Sequence, residues 1–110
     1  MMTREEALKL IEDTIRGNDV VLFMKGTSDF PMCGFSGQTS QILKHFGLKF
    51  KDINILEDET LRNTIKEYSN WPTIPQLYLK GEFIGGADIT REMALSGELE
   101  KVLREKSLIS

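Results

Sequence analysis

The stretch that decides the fold is Val20-Val21-Leu22-Phe23-Met24-Lys25-Gly26-Thr27, followed by Ser28-Asp29-Phe30-Pro31-Met32 and then Cys33-Gly34-Phe35-Ser36. Residues 20–24 form a short unbroken apolar run closed by Lys25-Gly26-Thr27, the pattern of a strand covered on both faces. Such a strand is central to its sheet. After the loop, Phe35, Ile42, Leu43 and Phe46 recur at helical spacing from Gly34 to Phe46, and Gly47 supplies a left-handed exit. Cys33 therefore stands immediately before a helix. Working outward toward the N-terminus, Thr3 and Glu6 fit a capping box. Ala7, Leu8, Ile11 and Ile15 then place a helix over roughly residues 4–16, stopped by Gly17-Asn18. Toward the C-terminus, Lys49 to Ile55 alternates as a strand, and Asp58 caps a helix carrying Leu61, Ile65 and Tyr68. Pro72 and Pro75 bracket a turn. Gln76-Leu77-Tyr78-Leu79 and Glu82-Phe83-Ile84 flank Lys80-Gly81, a two-residue hairpin signal. A helix bearing Ile89, Met93 and Leu95 follows and is broken by Gly97. A last helix carries Leu99, Val102 and Leu103, with residues 107–110 expected to fray. The order α-β-α-β-α-β-β-α-α gives an α/β fold, a mixed sheet with helices on both faces.

Composition bounds the rest. At 110 residues the chain has room for a single domain, and 40% apolar with 28% charged residues is globular usage. A net charge of −3 supplies no positive field for nucleic acid or an anionic membrane, so neither is expected as a partner. There is no apolar run of membrane-spanning length and no hydrophobic signal core at the start. The expectation is a cytoplasmic protein, with the bacterial cytosol favoured; a processed organellar matrix protein would read the same. The one cysteine cannot close an internal disulfide, so any disulfide chemistry must recruit a second thiol from elsewhere.

The chemistry centres on Cys33. At the mouth of a helix, N–H groups without intrahelical partners aim partial positive charge at the sulfur. Together with a cation such as Lys25 at the end of the neighbouring strand, this can bring a thiol from a pKa of ~8.5 into the range ~3.5–7.5. A lone cysteine is otherwise most often a small buried hydrophobe. Gly34 and Gly37, which leave the backbone bare around the sulfur, favour the reactive reading.

The motifs Lys25-Gly26-Thr27, Cys33-Gly34-Phe35-Ser36, Trp71-Pro72-Thr73-Ile74-Pro75 and Gly85-Gly86, in this order and spacing, closely resemble the monothiol, CGFS-type glutaredoxins. The resemblance runs from about Val20 to Ile89. It implies a thioredoxin fold with a mixed four-stranded sheet flanked by helices and a cis-proline, Pro75, before the third strand. It also implies glutathione as ligand, a tripeptide whose two carboxylates, ammonium, amides and thiol need complementary groups. By resemblance, Lys25 and Arg62 meet the glycyl carboxylate, and Ile74 pairs its backbone with the cysteinyl unit. The N–H groups at Ala87 and Asp88 hold the γ-glutamyl carboxylate, and the Asp88 carboxylate takes the ammonium. Phe35, Thr73 and Gly86 complete the glutathione site. Taken singly, Arg62 reads as a solvated helix residue, Asp88 as an N-cap and Lys25 as a surface lysine; the shared register of the motifs carries the assignment.

Ser36 replaces the second cysteine of dithiol relatives, so exchange within the motif is closed. A 2Fe-2S cluster needs four ligands and one chain offers one thiolate, Cys33, as catalytic group and metal ligand. The resemblance implies a homodimer in which two Cys33 thiolates and two glutathione sulfurs make up the four. The implied function is cluster binding and transfer to apo-proteins, with a BolA-like protein as a further partner. The alternative is a monothiol glutathione-dependent oxidoreductase that removes glutathione from proteins. The loop between Lys25 and Cys33 favours the first, because in the family its extra residues shift glutathione from the alignment that disulfide exchange needs. Two departures stand out: Ala87 replaces a cysteine found in some relatives, and Ser28 a proline found in many. His45 reads as a helix C-terminal residue, Trp71 as either a core residue or one that shields the ligand or meets a partner, and Met32 as a neighbour of the site.

Overall fold

The computed structural model describes all 110 residues. The first helix, α1 (Arg4–Gly17), is opened by the reciprocal Thr3–Glu6 capping box. β1 (Val20–Met24) is buried at every position. Then come α2 (Gly34–His45), β2 (Lys51–Asn54), a 3-10 turn (Ile55–Glu57), and α3 (Glu59–Ser69), which is capped by the Asp58 carboxylate through the Leu61 N–H. β3 (Gln76–Leu79) and β4 (Glu82–Gly85) form the hairpin, and α4 (Ala87–Ser96) and α5 (Glu98–Glu105) close the chain.

The sheet runs β2-β1-β3-β4, with β1 parallel to β2 and antiparallel to β3. β1 is central because both its faces are needed. Val21 and Phe23 join Ala7, Ile11, Leu61 and Ile65 beneath α1 and α3, whereas Val20, Leu22 and Met24 join Leu43, Leu99 and Leu103 beneath α2 and α5. Alternation along one apolar strand thus builds two cores. Burying side chains of this size stabilises the fold by about 1.5–3 kcal/mol each. At the hairpin both Lys80 (φ 47°) and Gly81 (φ 83°) are left-handed, which matches the twist of the flanking strands. The Ile74–Pro75 peptide is cis.

Several expectations are corrected. Of the stripe expected on α2, Leu43 is fully buried and Ile42 and Phe46 pack partly buried on the same core, whereas Phe35 is 61% exposed and Ser36, Thr39 and Ser40 fill the buried positions before Leu43. Ser36 takes its buried place by accepting the Lys25 N–H at 3.0 Å, and Thr39 donates its hydroxyl to the Phe35 carbonyl at 2.9 Å. The second strand is shorter than Lys49–Ile55, since Ile55 turns inward as the first residue of the 3-10 turn. Tyr68 and Leu95 face outward on their helices, at 43% and 80% exposure. The tail 107–110, expected to fray, lies against the molecule. Leu108 donates to the Leu103 carbonyl at 2.8 Å, and Leu108 and Ile109 pack on the α2–α5 core.

Candidate functional site

Cys33 is the N-cap of α2, in extended backbone (φ −152°, ψ 135°) and half-buried. The N–H of Ser36 is the largest influence holding its thiol below the usual range. The Phe35 N–H, the Lys25 charge and the Ser36 hydroxyl act in the same direction, and partial burial opposes them. The cause is geometric: an extended cap residue turns its side chain back over donors that the helix cannot satisfy.

The loop that delivers Cys33 is pinned from several sides. Gly26 takes φ +88°, and a Cβ there would lie 2.5 Å from the Phe30 carbonyl oxygen and 2.6 Å from the Met32 nitrogen. Only a bare Cα lets the chain fold back so tightly. Gly26 donates to Asn54 Oδ1 at 2.9 Å, and Ser28 donates to Asp52 Oδ2 at 2.8 Å. Lys44 Nζ donates to the Ser28 carbonyl at 3.0 Å, and Met32 donates to the Lys25 carbonyl at 2.9 Å. The glycines flanking the sulfur differ in role. A Cβ at Gly34 would meet open space, but at Gly37 it would press on Pro31 Cγ at 3.3 Å, so the clearance at Gly37 serves loop packing.

A cleft of about 170 Å³ opens beside this helix start, lined by Phe35 of α2, Trp71, Thr73, Ile74 and Pro75 of the proline loop, and Gly86, Ala87, Asp88 and Ile89 at the start of α4. The cap of α4 is Gly86, and its carbonyl accepts from Thr90 N and Thr90 Oγ1. Asp88 sits in the first turn, exposed. A Cβ on Gly86 would meet the Pro75 oxygen and Trp71 Nε1, each at 3.3 Å, so the two walls approach as closely as they do because that residue is glycine. Trp71 is half-buried against Phe83, with ring centroids 5.7 Å apart, and its Nε1 is buried without an acceptor. It belongs to core and cleft wall at once.

The structure therefore brings Phe35, Thr73, Ile74, Gly86, Ala87 and Asp88 around one cavity; Cys33, the cap residue two before Phe35, is not itself one of its walls. Lys25 and Arg62 are not among the cavity's walls. Lys25 is half-buried at the end of β1, close enough for its charge to act on Cys33. Arg62 is half-buried on α3 and forms no ion pair. His45 ends α2 and packs edge-on against Phe46 at 5.3 Å, far along the helix from Cys33.

A family model for glutaredoxin matches residues 20–84. The probable monothiol glutaredoxin 2 of Rickettsia typhi is 50% identical over 106 residues, covering 96% of each chain. This chain belongs to the monothiol glutaredoxin family. The chloroplastic monothiol glutaredoxin-S14 of Arabidopsis thaliana is 57% identical over 100 residues, 91% of this chain and 57% of that one. The mitochondrial monothiol glutaredoxin-5 of Saccharomyces cerevisiae is 54% identical over 108 residues, 96% of this chain and 72% of that one. Among solved structures, reduced poplar apo GrxS14 superposes with a TM-score of 0.84 at 51% identity, covering 96% of this chain and 98% of that one. The buckwheat glutaredoxin–glutathione complex superposes at 0.83 with 21% identity, over 97% of this chain and 96% of that one, which shows the shared thioredoxin-type fold. Membership places the chain among glutathione-related redox proteins. The relatives are bacterial, chloroplastic and mitochondrial, so the family is not tied to one compartment. No helix is long and apolar enough to cross a membrane.

Some residues that shape this glutaredoxin's site escape a reading of the sequence. Asp52 and Asn54 hold the Cys33 loop from β2, and Gln76 holds the proline loop from β3. Their signal was a polar residue at a strand position expected to be apolar or exposed, which marks the anomaly without naming its partner.

Proposed function

We propose that this chain binds glutathione in the cleft beside Cys33. Two such chains, each contributing Cys33 and the sulfur of its glutathione, then hold a 2Fe-2S cluster between them and pass it to apo-proteins. The observation that carries the reading is the position of Cys33. It is a thiol biased toward thiolate, half-buried at the head of α2, and Phe35, two residues on, already lines the cleft. The free N–H groups of Ala87 and Asp88 at the start of α4 suit the γ-glutamyl carboxylate, and the exposed Asp88 carboxylate suits its ammonium. The backbone of Ile74 pairs with the cysteinyl unit, and Lys25 and Arg62 take the glycyl carboxylate, Arg62 with a planar fork. The chain supplies one thiolate and lacks any cluster of three metal-ligating side chains, so a cluster held here draws its remaining ligands from outside the chain. Half of them being exchangeable, the cluster is cargo.

Anaerobic reconstitution with iron, sulfide and glutathione tests this. A coloured species that elutes as a dimer and bleaches on removal of glutathione is expected. A colourless monomer overturns it.

The lowered thiol pKa favours a second reading at the same sulfur. The Cys33 thiolate attacks the glutathione sulfur of a protein–glutathione disulfide, the protein thiolate leaves, and Cys33 carries the glutathionyl group. A second glutathione thiolate then attacks that bond, releasing glutathione disulfide and restoring Cys33. Because a displacement of ~1 Å can cost on the order of 100-fold in rate, slow turnover is expected beside efficient cluster binding. Fast turnover of a glutathionylated substrate would promote this reading. Cys33→Ser abolishes both activities and leaves the fold intact.

A further inference from the structure

Gln76, the first residue of β3, is wholly buried, an unusual place for a primary amide. Its Nε2 donates to the Trp71 carbonyl at 3.2 Å and to the Thr73 carbonyl at 3.3 Å, and its Oε1 accepts from the Tyr78 hydroxyl at 3.2 Å. The reverse orientation of the amide would set its oxygen against two carbonyl oxygens, so the network admits one arrangement. A buried amide with its partners in place rigidifies what it joins. Here it joins β3 to the loop that walls the cleft.

In a trans peptide the carbonyl and the following N–H point in opposite directions. With the Thr73 carbonyl drawn inward to Gln76, the N–H of Ile74 is turned away from the core. Ile74 lies outside the helices and strands, and its N–H meets no acceptor in the protein, while the residue lines the cleft. We infer that Gln76 is a positioning residue for ligand binding: by holding the Trp71 and Thr73 carbonyls inward it presents the Ile74 N–H to a backbone carbonyl of a bound peptide ligand. The inference rests on the proposed glutathione site and adds the device that keeps one wall of it ready before the ligand arrives. Ordering that loop in advance removes a cost from binding.

The test is titration of glutathione into the full chain and into Gln76→Met, which keeps length and approximate volume but removes both donors and the acceptor. The dissociation constant is expected to rise about tenfold, with the far-ultraviolet spectrum and the pH profile of Cys33 alkylation unchanged. Tyr78→Phe is the stability control. It deletes a buried hydrogen bond to the same amide but none to the loop, so it lowers Tm while leaving the dissociation constant within twofold. Hydrogen exchange on the wild-type chain gives a reading that needs no variant to fold. The Gln76 side-chain amide exchanges slowly in the free protein, and the Ile74 amide exchanges fast until glutathione is added. Equal affinity of Gln76→Met and wild type, or an Ile74 amide already protected without ligand, overturns the positioning role alone. A wild-type chain that does not bind glutathione overturns the site itself, and this inference with it.

Discussion

The hydroxyl of Ser36 accepts the backbone N–H of Lys25 at 3.0 Å, joining the end of β1 to the first turn of α2 across the active-site loop. Ser36 is completely buried, and its hydroxyl hydrogen remains available to the Cys33 sulfur, whose thiolate it favours. The fourth position of the motif is therefore a structural tie as well as the absence of a second thiol. Ser36→Ala leaves the Lys25 N–H without its acceptor, and a loss of about 1–3 kcal/mol follows for a buried donor left unpaired. Chemical denaturation measures it, and the Cys33 alkylation midpoint moves up in the same variant.

The Cys33 thiol is held below its ordinary value, so the rate of alkylation by iodoacetamide plotted against pH has its midpoint below that of free cysteine, ~8.5. Lys25→Gln moves the midpoint upward, and added salt narrows the gap between the two proteins because a half-buried charge is partly screened. The sign for stability follows from the direction of the shift. This group's contribution is full above the unfolded thiol's pKa and disappears as pH falls through the lower folded value. A midpoint equal to that of free cysteine would remove the basis for thiolate chemistry here.

Two glycines close to Cys33 respond differently to a methyl group. Gly26→Ala forces a side chain into left-handed backbone and into contact with Phe30 and Met32, where strain alone costs about 1–3 kcal/mol. Gly34→Ala meets nothing within 4 Å and has no such backbone constraint. The first variant loses stability and disorders the Cys33 loop, seen as lost amide protection at Met32; the second keeps both within error.

The Asp58 carboxyl accepts from the Met2 N–H at 2.8 Å and the Leu61 N–H at 3.0 Å, with Met2 the larger influence lowering its pKa. A lowered carboxyl contributes stability above its unfolded pKa of ~3.9, and that contribution is lost as pH falls through the folded value. Asp58→Ala lowers Tm at pH 7. The Tm difference from wild type shrinks on acidification, as thermal melts across an acid series record.

Leu108 and Ile109 pack against the core on the α2–α5 side. Deleting residues 107–110 exposes that surface and costs roughly 1–2 kcal/mol, given partial burial of two large apolar side chains. Denaturant midpoints of the shortened and full chains make the comparison, and equal midpoints would return the tail to the frayed state expected from its sequence.

Local pattern determined much of this protein. The unbroken apolar run at residues 20–24 specified a central strand, Thr3, Glu6 and Asp58 specified helix starts, and Lys80-Gly81 specified a hairpin. Each of these signals acts over a few residues, through side-chain periodicity or a capping bond, and so is written in consecutive letters. The single thiol at a helix mouth was legible for the same reason. Tertiary structure decided what period and caps do not encode. It turned Phe35 out to the cleft and Ser36 in, where the Lys25 N–H needs an acceptor. It folded the tail onto Leu103. It also chose Asn54, Asp52 and Gln76 to satisfy backbone groups of the two loops that frame Cys33 and the cleft. An irregular loop must find partners for its N–H and C=O groups somewhere, and those partners can come from any strand that folding brings alongside, so their identity emerges only once the chain has closed on itself.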